Sequence, residues 1–163
     1  MTTTITGALG IDNIQAATGS VLQVVSATTI TEVSSTSNST WVDTTLTATI
    51  TPLRASSKIL VLINQQFGNY SIGLGGDYKV MRNTTDVKHF TNYTKAESAD
   101  HAPNIAIASF SIFDSPSSIE ELVYKTQMKH RGGNSGTIRA QDSGGATVGA
   151  LPESQITLME VAG

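Results

Sequence analysis

The chain has 163 residues, 39% of them hydrophobic and only 14% charged, with no cysteine. A formal net charge of −3 supplies no basic field to neutralise phosphates, which argues against nucleic-acid binding as the main task. Without cysteine there is no disulfide framework and no thiolate metal site, so stability must come from packing or assembly.

The polar surface is left to Thr, Ser, Asn, Gln and Gly, and the β-branched content favours strands over helices. One domain is expected over residues 21–163, preceded by an extended arm over residues 1–20. The arm spaces Ile5, Leu9, Ile11 and Ile14 through small and polar residues, too sparsely for a core element, and reads either as a flexible leader or as a docking strap that becomes ordered on a partner. It lacks the basic start and apolar run of a signal peptide, and no stretch approaches the roughly 18 apolar residues of a membrane-spanning helix. A soluble protein is the expectation.

VLQVVS (21–26) and TTITEVSS (28–35) read as the first strands. From Trp41 to Phe67 lies the stretch expected to act as scaffold. Val42, Thr44, Leu46, Ala48 and Ile50 share one face of a period-two repeat. After a break at 52–57, KILVLINQQF is apolar on both faces at its start, which predicts a central strand covered on both sides. Gly73, Gly75 and Gly76 predict a loop or hairpin tip, where positive φ costs a glycine little. YKVMR (78–82) and VKHFTNY (87–93) flank a turn, and residues 94–104 read as a long exposed loop. IAIASFSIFD (105–114) is again apolar on both faces. Leu122 to Lys129 alternates most cleanly, with Leu122, Tyr124, Thr126 and Met128 on the dry side. TIRAQ, a glycine-rich loop over 142–153, and SQITLMEV (154–161) complete the chain. The pattern predicts an all-β protein, an antiparallel two-sheet sandwich of jelly-roll type.

Chemistry is harder to find. The glycines at 73–76 are not followed by a helix, so they make no dinucleotide fingerprint. His89, His101 and His130 lack the spacing of a metal site, Glu120 and Glu121 are neighbours and not a facing pair, and no G-x-S-x-G occurs. No enzyme, cofactor or metal is expected. Asn38, Asn69, Asn83 and Asn92 begin N-x-[ST] sequons that read as surface and turn chemistry. Trp41, Tyr70, Tyr78, Phe90 and Tyr93 could build a sugar-stacking platform, and Tyr70, Asp77 and His101 are candidate ligand residues on the loops over 68–77 and 94–104.

Three stretches taken together, Gly19–Thr29, Ile50–Gln65 and Leu122–Ala140, with the GIDNIQAATG leader and the terminal SQITLMEV, resemble small tailed-bacteriophage virion proteins of the head-decoration and tail-fibre kind. The resemblance implies a homotrimer of jelly-roll domains on the particle exterior. It further implies a non-enzymatic cement or decoration protein whose arm docks onto another virion protein such as the major capsid protein. The other reading it offers is a tail-fibre module holding a host surface glycan. Residues 69–104 match nothing in the resemblance. In such a trimer a doubly apolar strand would be covered by its own second sheet on one face and by a neighbouring subunit on the other.

Overall fold

The computed structural model describes residues 16–70, 75–95, 104–131, 136–142 and 152–163. Among them the regular elements are all strands: β1 (Val21–Thr29), β2 (Val33–Ser35), β3 (Val42–Ile50), β4 (Lys58–Asn69), β5 (Gly75–Arg82), β6 (Thr85–Lys95), β7 (Asn104–Asp114), β8 (Leu122–His130), β9 (Ile138–Ala140) and β10 (Ser154–Val161). Two antiparallel sheets result, one ordered β1-β10-β4 with β7 on the far side of β4, the other ordered β3-β8-β5-β6.

The pairings show how the chain makes these sheets. β5 pairs with β6 through a tight turn at Asn83 and Thr84, β4 with β7, β3 with β8, and β1 with β10. Each pair encloses the previous one in sequence, so the strands form one long nested hairpin. Rolling that ribbon places alternate pairs in opposite sheets, and the roll is closed by β10 against β4 and β5 against β8. This is the jelly roll, two Greek keys closed into a double sheet. Asn83 sits at positive φ (51°) at the hairpin tip, and its side-chain oxygen accepts from the Val123 amide at 2.9 Å, which pins the tip to β8.

The two short strands extend existing rows. β9 pairs with β4 at Phe67–Asn69, on the same edge that β10 pairs at Lys58–Asn64. β2 continues β1 in the same way, lying on β9 as β1 lies on β10. β9 and β10 are therefore one strand interrupted by the segment from Asp142 to Glu153. The break is sealed by buried polar groups. Ser154 Oγ accepts from the Gln66 amide, and the Gln141 amide nitrogen donates to the Gln66 carbonyl at 3.0 Å. The Gln141 side chain, oriented to satisfy its neighbours, donates to the Thr31 and Thr44 carbonyls (2.9 and 3.0 Å) and accepts from Gln65 Nε2 at 2.7 Å.

Between the sheets, Leu46, Ala48 and Ile50 of β3 meet Ile59, Val61 and Ile63 of β4, with Val80, Tyr124, Ile156 and Leu158 completing the larger core. A smaller core around Phe67, Tyr78, Met128 and Ile138 fills the other end. Phe110 of β7 stacks on Phe90 of β6 at 3.9 Å, closing the side where both sheets end. Arg82 and Tyr124 both donate to Asp114 Oδ2, at 2.6 and 2.7 Å, joining the sheets across the same side. Burial and the Asp114 carboxylate push the Tyr124 phenol far above its usual range.

Glu160 is fully buried and caps the turn before β4. Its Oε1 accepts from the Leu53 amide at 2.9 Å, and its Oε2 from Gln23 Nε2 at 2.6 Å. Burial alone would raise this carboxyl, but the donated hydrogen bonds outweigh it and hold the pKa below the ordinary 4.5. A depressed folded-state pKa contributes stability that is present above the unfolded value and lost as pH falls through the folded one. Urea unfolding of the wild type and Glu160→Gln is expected to show the wild type more stable at pH 7, with that advantage shrinking below about pH 4.5. A pH-independent difference would assign the effect to packing.

The structure revises several sequence expectations. β4 is central as predicted, but its outer residues Leu60 and Leu62 remain half-exposed, with no described element of this chain over them. β3 is an edge strand and not the scaffold centre, and it swells between Asp43 and Thr47, where Thr45 takes φ 66°. Gly75 and Gly76 lie within β5, not at a hairpin tip, and neither has positive φ. They are glycine for lack of room: a methyl on Gly76 would sit 2.6 Å from the Tyr78 hydroxyl. Thr94, Lys95 and Asn104 belong to β6 and β7, which shortens the expected loop. Asn69 is fully buried at the end of β4, so its sequon is not a surface site. Gly19 and Ser20 exchange main-chain bonds with Ala162 (2.8 and 2.9 Å), so the sandwich begins before Val21.

Candidate functional site

The residues nominated from the sequence fall into separate places. Ile5, Leu9, Ile11, Ile14 and His101 lie outside the described residues. Tyr70, just past β4, donates to Asp142 Oδ1 at 2.8 Å, and the Arg139 guanidinium lies 4.6 Å from its ring. Burial and the Asp142 carboxylate push the Tyr70 phenol up to about 12. Arg139 also pairs with Glu32 at 3.2 Å. This cluster ties the root of the interrupted strand to the neighbouring row.

Asp77 belongs to β5 and not to a loop, and only 6% of it is exposed. Its Oδ1 accepts from the Asn92 amide at 2.9 Å, and Lys129 and Arg131 each approach it at 3.9 Å. Among the described residues, the partners of Asp77 are thus different from those of Tyr70. His130 is buried at the end of β8, and no set of His, Cys, Asp and Glu that could hold a metal ion occurs among the described residues.

The structure assembles a group that the sequence did not bring together. Trp41, ahead of β3, has Lys79 Nζ 4.7 Å and Lys129 Nζ 5.0 Å from its ring, with the His89 ring edge-on at 5.0 Å. Three different strands supply those partners, and Lys79 is further held by Asp86 at 2.9 Å. Beside it Lys125 and Gln127 both donate to Asp43, at 2.9 and 2.6 Å. Burial would raise the Asp43 carboxyl, but those two bonds lower it overall. The outer face of the β3-β8-β5-β6 sheet is thus a charged, hydrogen-bonded surface built round one indole. Alternation on β8 puts Lys125 and Lys129 on the wet face in the sequence. The Trp41 contact needed the pairing of β3 with β8, which alternation does not reveal.

The opposite outer face is of another kind. Across the β1-β10-β4-β7 sheet, Val24, Met159, Leu60 and Phe113 stand in register in one row. Ser26, Thr157, Leu62 and Ser111 form the next row. Val24 is 54% and Phe113 62% exposed, and Ile107 on the same strand face is 65% exposed.

No protein-family model matches the chain, and no curated protein matches it. Solved structures do. The VP2 subviral particle of infectious bursal disease virus matches with a TM-score of 0.44 and 17% identity, over 96% of this chain and 42% of that one. The Gx strain of the same virus matches with a TM-score of 0.42 and 15% identity, over 97% and 41%. The chain spans about two fifths of the length of those viral chains. The fold assignment made above rests on this chain's own strand order.

Proposed function

We propose that the chain is a non-enzymatic structural protein of a phage virion. In this reading it is a homotrimeric capsid cement or decoration protein on the particle exterior, anchored by its N-terminal arm to a larger assembly such as the major capsid protein. The observation that carries the reading is the contrast between the two outer faces of the jelly roll. One is charged and hydrogen-bonded as a wet surface is, and the other exposes apolar side chains in register across four strands, as a packed surface does. Jelly rolls of this kind recur in viral capsid proteins and lectins, an analogy of fold and not of site. Many such subunits would act mechanically, with weak contacts summing through multivalency. Cofactor, metal, membrane and nucleic acid have no part in the mechanism.

Antibody labelling of purified particles tests this directly. Label on heads, lost when residues 1–15 with their Ile5, Leu9, Ile11 and Ile14 are deleted, is the expected result; label confined to tails would overturn the cement assignment. The second reading, a tail-fibre module recognising a host surface glycan, is favoured by the indole of Trp41 among Lys79, Lys129 and His89. It requires glycan-array binding that Trp41→Ala abolishes.

A further inference from the structure

We infer that the outer face of the β1-β10-β4-β7 sheet is the surface through which copies of this chain associate. This deepens the homotrimer reading above and rests on it.

Charge selects the occupant. Along the paired rows from Val24–Thr28, through Gln155–Val161 and Lys58–Asn64, to Ser109–Phe113, the outward residues of this sheet include one ionisable side chain, Lys58. The other sheet's outer face carries Lys125, Lys129 and Asp43, with Lys79 and Asp77 buried among them. Two copies of a chain with net charge −3 meet with little like-charge repulsion where the surface is nearly uncharged. A partner of opposite charge would find little to recognise here, whereas an identical surface finds matching apolar rows and short hydroxyl side chains.

Size and chemistry agree with self-association. Four strands spaced about 4.8 Å apart, over about seven paired residues at about 3.3 Å each, make a face of about 450 Å² in plane. Side-chain relief brings this towards the roughly 800 Å² per partner of a standard interface. Apolar area is concentrated where Val24, Met159, Leu60 and Phe113 align, and Val161 continues it one row further. β7 forms the rim. It pairs with β4 along its whole length without a bulge, while its other edge faces no described strand. On the same side of the sandwich, the edge strand of the opposite sheet, β6, is treated differently: its pairing is broken twice by register shifts, and Asn92 within it takes φ 54°. Bulges of that kind blunt an edge against pairing. Where β6 and β7 lie side by side, the edge of the charged sheet is thus blunted and the edge of the apolar sheet is flat, while a bulge at Val21–Gln23 interrupts the apolar sheet's far edge, β1.

The test is the oligomeric state of the full chain by size-exclusion chromatography with light scattering at about 10 µM, above the micromolar to picomolar range of standard-size interfaces. Wild type is expected to run as a trimer, and Phe113→Glu and Val24→Glu, both at exposed positions, to run as monomers with an unchanged far-ultraviolet circular dichroism spectrum. Lys125→Glu, on the opposite face, should leave the trimer intact. A monomeric wild type, or glutamate variants that keep the wild-type mass, would overturn the inference. A wild-type dimer dissociated by the same variants would support this face and count against the trimer. None of these results depends on where the protein sits on a particle, so the virion reading stands or falls separately.

Discussion

Phe67→Ala is expected to destabilise the protein by about 3–5 kcal/mol, the usual cost of emptying a large aromatic site. Phe67 is 1% exposed, and its ring lies 3.8 Å from that of Tyr78 across the sandwich, tilted by 34°. The surrounding residues cannot easily collapse into the space. Tyr78 is anchored by its hydroxyl to Thr94 Oγ1 at 2.9 Å, and Ala108, Ile138 and Ala140 are fixed by strand pairing on both sides of β4. For a chain of this size the loss corresponds to a fall in melting temperature of about 6–20 °C. Urea unfolding followed by circular dichroism measures it. A cost under about 1 kcal/mol would mean that this end of the sandwich repacks freely, contrary to the arrangement described.

The second large effect is expected at Gly68. A methyl group there would stand 2.9 Å from Asp142 Cγ and 3.1 Å from its Cβ, with Oδ2 closer still. Asp142 cannot swing aside without losing the Tyr70 hydroxyl, and it is 1% exposed. Gly68→Ala should therefore cost about 1–3 kcal/mol through overpacking. The cause can be isolated with a double-mutant cycle: the same substitution should cost less when Asp142 is already alanine. Additive effects would point to the β4 backbone and not to crowding.

Much of the sandwich is legible in the sequence because period-two alternation is a local signal. Leu122, Tyr124, Thr126 and Met128 are buried and their neighbours are not, as the alternation requires. IAIASFSIFD is β7 almost to the residue, and its two apolar faces turn out to be one inward face and one exposed. What alternation cannot carry is partnership. That β9 and β10 are one row depends on both meeting β4, and the glycine-rich sequence between them looks like any loop. The glycines at 75 and 76 are ambiguous in sequence for a related reason, since absence of a side chain serves tight contact as well as unusual φ. Asp77 follows them into β5, and Trp41 meets its lysines because β8 and β5 lie side by side. Residues 1–15 of the arm, with Ile5, Leu9, Ile11 and Ile14, and His101 lie outside the described residues.

The interrupted row has a practical consequence. β9 and β10 each hold β4 by their own main-chain bonds, so register on either side of the break does not depend on the length of chain that joins them. Lengthening a connection costs only about 0.6 kcal/mol per doubling. A foreign peptide spliced between Asp142 and Glu153 would therefore be carried by a sheet whose pairing it does not contribute to, which makes the break a natural socket for epitope display.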